Sequence, residues 1–166
     1  MVDIEYIKPE DLIDIVDTIR GLDYEYEAEV PDYDKEHDAI DQYFSLIERS
    51  GQSFYPDIFA KASYLFININ SHYFSNGNKR LAVTSTTFFL EKNNYTFKTL
   101  SKDKCEEILQ ALFGVQKLDD FDGFSPINYA LYNLALIVAM MNKQDNKFDD
   151  LKEKVTDFFN KTFEKK

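Results

Sequence analysis

Apolar positions along the chain fall at helical spacing between short polar breaks. Ile58, Phe59, Ala62, Leu65, Phe66 and Ile69 recur as one helical face. Pro56 suits the first helical position and Asp57 the positive end of the helix dipole, which predicts a start there. A second pattern runs from Lys79 to Lys92 through Leu81, Ala82, Thr84, Ser85, Phe88 and Phe89, with Asn93-Asn94 as its stop. Earlier, Pro9 opens a helix with Leu12, Ile13, Ile15, Val16 and Ile19 inward and Gly21 as C-cap. Residues 35–50 form another through Ala39, Ile40, Tyr43, Phe44, Leu46 and Ile47. Ser101 reads as an N-cap for a helix carrying Ile108, Leu109, Leu112 and Phe113, closed by Gly114. Ser125-Pro126 opens a segment that is apolar nearly all round as far as Met141, which predicts a central buried helix with Met140 and Met141 filling core. Residues from Asp149 to Lys166 predict an amphipathic helix with Leu151, Val155, Phe158, Phe159 and Phe163 on its apolar side. Strand signals are sparse. Val2 to Ile7 alternates, as does Tyr95 to Thr99, and the two are expected to pair.

Composition narrows the class. At 166 residues the chain is long enough for one domain with a real core. No apolar run reaches the length of a membrane span. Asp3 and Glu5 among the first residues do not fit a secretory signal, and one cysteine, Cys105, excludes an internal disulfide. A cytoplasmic location is the expectation, with Cys105 a helix residue of no catalytic role. The net charge of −11 argues against general nucleic-acid binding. Residues 23–34, acidic and tyrosine-rich, read as a solvated loop, with a flap over an active site as the alternative. His37 reads as a surface residue. Asp119, Asp120 and Asp122 resemble the start of a calcium loop, but the later ligand spacing is missing, so the segment reads as a polar turn.

The chemistry gathers between the two best-marked helices. Ser71 to Arg80 brings together His72, Asn76, Gly77, Asn78, Lys79 and Arg80. Asn-Gly is a common turn pair, so an ordinary connection is one reading. The other is an anion site. The first N–H groups of a helix have no intrahelical partner and the dipole is positive there. Gly77 lets backbone approach a ligand, while Lys79 and Arg80 add positive charge. His72 beside such a cradle could take a proton from an attacking hydroxyl.

His72-Tyr73-Phe74-Ser75-Asn76-Gly77-Asn78-Lys79-Arg80 resembles the Fic/Doc motif, His-x-Phe-x-(Asp/Asn/Glu)-(Gly/Ala)-Asn-(Gly/Lys)-Arg. Lys79 stands where Fic AMP-transferases carry Gly and points to the Doc (death-on-curing) branch. The flanks from Tyr55 to Ala62 and from Phe88 to Tyr95, and the segment Ile4 to Leu12, look like the family's neighbouring elements. The resemblance implies a mainly α fold, a Fic/Doc-type helical bundle with a few short strands. Residues 1–125 would be the family core, with C-terminal helices over 125–166 packing on it or extending it. It implies His72 as general base, Phe74 as buried loop anchor, and Gly77 and Asn78 as anion hole through backbone and amide. Arg80 would grip a terminal phosphate, and Lys79 goes with a reversed nucleotide and hence with phosphorylation. Asn76 occupies the usually acidic position that helps hold Mg2+; a neutral oxygen there implies weaker metal binding.

The implied activity is a toxin kinase moving a phosphoryl group from ATP, with Mg2+, to a Ser/Thr hydroxyl of a cytosolic protein of the translation elongation factor class. The alternatives are a Fic-type AMP-transferase and a Fic-fold interaction module that has lost turnover, the latter resting on Asn76. The inhibitory Ser/Thr-x-x-x-Glu-Gly/Asn pattern of many Fic enzymes has no match, since Thr87 and Glu91 keep its spacing but Lys92 follows. A separate antitoxin chain is therefore the expected restraint, with no direct nucleic-acid or membrane partner.

Overall fold

The computed structural model describes residues 3–21, 33–71, 73–120, 123–141 and 148–166. These contain seven α-helices: α1 (Asp11–Gly21), α2 (His37–Ser50), α3 (Ile58–Ile69), α4 (Asn78–Lys92), α5 (Lys102–Phe113), α6 (Pro126–Met141) and α7 (Phe148–Thr162). A 3-10 turn, Tyr33–Lys35, precedes α2, and two short strands complete the set, β1 (Tyr95–Phe97) and β2 (Phe163–Lys165). The chain is thus mainly helical with two short strands. None of the helices among the described residues is long and apolar enough to cross a membrane.

Helix α3 is the centre. It packs against α2, α4 and α7, while α4 also meets α1 and α6, and α5 meets α6 and α7. The pattern predicts one apolar face for α3, yet burial runs all round it and takes in Tyr64, Ile67, Ser63 and Lys61. Its polar members survive because each is bonded. The Lys61 ammonium, 5% exposed, donates to the carbonyls of Ser50 at 2.9 Å and Gln52 at 3.2 Å, closing the C-terminal end of α2. The Ser63 hydroxyl donates to the Phe59 carbonyl and meets Thr156 of α7 at 2.9 Å. Helix α7 lays Leu151, Val155, Phe158 and Phe159 inward, with Phe159 edge-on to Phe66 at 5.8 Å. Each such buried ring contributes roughly 1.5–3 kcal/mol.

Several details differ from the pattern. Asp57 is the N-cap of α3, so Pro56 lies before the helix rather than in its first position. Ile13 of α1 faces outward at 65% exposure, leaving Ile15, Val16 and Ile19 as the buried face. Of the methionine pair, Met140 is 60% exposed at the end of α6 and fills no core. Asn133, a polar residue within that apolar helix, is buried. Its amide accepts from the Asp119 N–H and donates to the Asp119 and Tyr129 carbonyls.

The expected pairing of the first strand with Tyr95–Thr99 does not form. Val2 lies outside the described residues, and residues 3–7 are not a strand. The side chain of Asn93 takes both backbone groups of Glu5, accepting its N–H at 2.9 Å and donating to its carbonyl at 2.8 Å. β1 pairs instead with β2, antiparallel, with Tyr95 opposite Lys165, Thr96 opposite Glu164 and Phe97 opposite Phe163. The amphipathic helix expected as far as Lys166 therefore ends at Thr162, and Phe163 turns into the strand with its ring 5.4 Å from that of Phe97.

Candidate functional site

The loop between α3 and α4 is held at both ends. Asn70 ends α3, and its Nδ2 donates to the Ala135 carbonyl of α6 at 2.9 Å. Its Oδ1 is buried without a partner, a penalty of about 1–3 kcal/mol borne where the chain enters the loop. His72, the expected base, lies outside the described residues, and Tyr73 beyond it is half-buried.

Phe74 is buried at 4% exposure, with the ring of Tyr33 set edge-on at 5.0 Å and 89°. Asn78 brackets it. The Asn78 Oδ1 accepts the Phe74 N–H at 2.9 Å, and Nδ2 donates to the Phe74 carbonyl at 2.7 Å. This closes the turn from Phe74 to Asn78 into a ring. It also engages one donor and one acceptor of the Asn78 carboxamide, a side chain 3% exposed, in holding the loop. The carboxamide expected in the anion hole thus also binds the chain's own backbone, and the Asn78 N–H stands at the helix end.

Helix α4 begins at Asn78, one residue before the pattern places it, with Gly77 as N-cap at φ 74° and ψ 8°. That left-handed backbone is strained for any residue with a Cβ, which accounts for glycine here. Among the described residues no side chain caps the helix, and its first turn carries no acid. Its leading N–H groups thus have no capping side chain among the described residues, with Lys79 and Arg80 half-buried in the first turn and Asn76 exposed ahead of it. Such an end can hold an anion.

Two residues that the sequence pattern does not single out hold this loop from outside. The Tyr33 hydroxyl donates to the Gly77 carbonyl at 3.0 Å. Glu36 accepts the Ser75 N–H at 3.0 Å and the Ser75 hydroxyl at 3.0 Å. Tyr33 comes from the acidic, tyrosine-rich stretch 23–34, whose only signal was that it could lie over the site; Glu36 falls at the head of the helix pattern that follows and carried no signal. Residues 22–32, which contain most of the expected flap, lie outside the described residues.

Metal chemistry has little protein support here. Asn76 supplies one neutral oxygen, and among the described residues no three His, Cys, Asp or Glu side chains gather as a metal site. Both oxygens of Glu36 are already engaged by Ser75. This set fits a Mg2+ carried on nucleotide phosphates, with Asn76 as a single additional oxygen. Asp119 and Asp120 lie in irregular backbone rather than in the expected turn, Asp120 pairing with Lys102 at 2.8 Å, while Asp122 lies outside the described residues.

The other reactive groups are quiescent. Cys105 is buried in α5, and burial pushes its thiol up, away from the nucleophilic thiolate. Burial likewise raises the Tyr43 phenol, whose oxygen lies 3.0 Å from the Ser85 hydroxyl. Tyr129 is pushed up to about 12, by burial first and then by the charge of Glu106. His37 is exposed at the start of α2.

No family model matches the chain, and neither does any curated protein or solved structure.

Proposed function

We propose that this chain is a Doc-like protein kinase of a toxin–antitoxin pair. It would transfer the γ-phosphoryl group of ATP to a Ser or Thr hydroxyl of a cytosolic protein, of the elongation factor class by resemblance. The observation that carries the reading is the nine-residue motif from His72 to Arg80, all of whose fixed residue types recur in register. The start of α4 behind a left-handed Gly77, with no side-chain cap among the described residues, supports it, because the motif's anion-binding residues then sit at a helix N-terminus. A small, mainly helical domain is compatible with a Fic/Doc architecture.

In this reading His72 removes the proton of the target hydroxyl as its oxygen attacks the γ-phosphorus, and ADP leaves with the bonding pair of the broken bridge. The N–H groups at the start of α4 and the Arg80 guanidinium hold the phosphate oxygens as charge develops, and positioning with charge stabilisation supplies the catalysis. Lys79 directs the γ-phosphate toward the hydroxyl. Mg2+ borne on the nucleotide, touched by Asn76, would neutralise phosphate charge. Phe74 and Asn78 keep the loop in shape. An antitoxin chain would restrain the enzyme.

The test uses the pure chain with Mg2+ and ATP labelled on either the γ- or the α-phosphate, in a bacterial lysate, beside His72→Ala. A band labelled only from γ and reduced about 10²- to 10⁴-fold in the variant is the expected result. Label from α would move the chain to AMP transfer, and label equally strong in the variant would remove His72 as base. No label from either nucleotide would favour the module without turnover, for which the exposed, neutral Asn76 is the specific support.

A further inference from the structure

We propose that Tyr33 and Glu36 are positioning residues of the anion loop, setting the direction of its backbone N–H groups without touching the nucleotide. This rests on the kinase reading, because it concerns the same site.

The planarity of the peptide unit is the physical link. The carbonyl of one residue and the N–H of the next lie in one plane and point in opposite directions, so holding the carbonyl aims the N–H. The Gly77 carbonyl is held twice, by the Leu81 N–H at 2.9 Å and by the Tyr33 hydroxyl at 3.0 Å. Only the first of these belongs to the helix. The Asn78 N–H, first in α4, is therefore aimed with the help of Tyr33. Three peptide groups earlier in the ring the same relation holds. The Phe74 carbonyl is held by Asn78 Nδ2 at 2.7 Å, and the Ser75 N–H that it aims ends on Glu36 at 3.0 Å.

Glu36 gives up a local role to make this contact. It is the N-cap residue of α2, yet its side chain makes no cap bond there. It crosses instead to Ser75, 39 residues away in sequence, and takes both the N–H and the hydroxyl. Tyr33, 1% exposed, sets its ring against Phe74 as well as its hydroxyl on Gly77. The two residues thus hold the Ser75–Gly77 arc at both of its ends.

Calorimetric titration of the full chain with a β,γ-non-cleavable ATP analogue and Mg2+, well below the melting temperature, tests this. Tyr33→Phe keeps the ring and deletes one hydrogen bond; Glu36→Ala deletes two, and Glu36→Gln keeps an acceptor. Affinity is expected to fall roughly three- to tenfold in Tyr33→Phe and Glu36→Ala, and less in Glu36→Gln, with stoichiometry unchanged. In steady state the KM for ATP rises and kcat at saturation stays. A merely structural role would lower the stoichiometry and kcat through loss of folded protein and leave the affinity alone. That result, or wild-type affinity in all three variants, overturns the inference and leaves the kinase reading standing. Should Tyr33→Phe not fold, Glu36→Gln and Ser75→Ala, which keeps the backbone donor, decide it by the same readout. If the intact chain neither binds the analogue nor transfers label, the kinase reading falls and this inference with it.

Discussion

Helices α3 and α4 are neighbours in sequence and in space, and they begin in opposite ways. At the start of α3, one carboxylate oxygen of Asp57 accepts the N–H groups of Phe59 and Ala60, each at 2.9 Å. The positive end of that helix is closed by the chain itself. At the start of α4 stands a left-handed glycine with no capping side chain, and Asn78 turns its amide back onto Phe74. An anion approaching α3 would have to displace a tethered carboxylate, while one approaching α4 meets donors that no side chain among the described residues caps. Two helix ends equal in dipole therefore differ in availability, and what separates them is a single side chain at the cap.

That contrast can be broken most severely at Asn78. Replacing it by Ala leaves the N–H and carbonyl of Phe74 without their partners in a buried place, a loss of about 2–4 kcal/mol. Thermal unfolding should drop by roughly 5–15 °C for a chain of this size, and ATP binding should fall with it. Retained stability would mean that the loop closes without the bracket.

Gly77 comes next and separates backbone strain from ligand access. Gly77→Ala in a left-handed conformation should lower stability by about 1–2 kcal/mol and weaken ATP binding about tenfold. Gly77→Asn, which tolerates that conformation, should recover melting temperature and not affinity. If both variants bind ATP as the wild type does, the open end of α4 is not the phosphate site.

Asp57→Ala works on the other side of the comparison. Loss of the cap should lower stability by about 1 kcal/mol, seen as a 2–4 °C shift in melting, with phosphoryl transfer unchanged. A loss of activity larger than the loss of folded protein would show that the two helix ends are not independent.

The smallest effect concerns a third helix start. Asp11 at the head of α1 accepts the Lys8 N–H at 2.7 Å and the Lys92 ammonium at 2.9 Å. Partial burial works to raise its pKa, but Lys8 and Lys92 outweigh it and hold the carboxyl below its ordinary value of 3.8. A depressed folded value contributes stability above the unfolded pKa and loses it as pH falls through the folded one. Asp11→Asn should therefore melt slightly below wild type at pH 7, and the gap should close as both are taken to pH 2. A gap that persists in acid would assign the difference to hydrogen bonding alone.

Much of the local architecture was legible. The helical periods, the caps at Asp57 and Ser101, and the left-handed stop at Gly114 are short-range features, and each appears where its residue type predicts an end. The start of α4 at the Gly77-Asn78 junction was legible for the same reason. Illegible features depend on residues far apart in the chain. Phe163 follows Phe159 at helical spacing, and only the partner Phe97, across the β1–β2 pair, draws it into a strand. Residues 3–7 alternate like a strand, and Asn93 consumes the backbone groups that would have paired. Lys61 sits in a helix that reads as apolar on one face, and its burial becomes intelligible only with the carbonyls at the end of α2 around it.

The sequence by itself determined the mainly helical class, where most helices begin and end, and a motif carrying phosphate-binding residue types in register. The tertiary structure decided that α3 lies at the centre, that the two strands come from Tyr95 and the extreme C-terminal segment, and that Asn78 serves the loop. It also decided that Tyr33 and Glu36 reach Gly77 and Ser75. Helix periods and caps arise from forces acting within a few residues, so they are written locally. Which polar group satisfies which depends on where packing brings distant segments together, and that is settled only when the whole core closes.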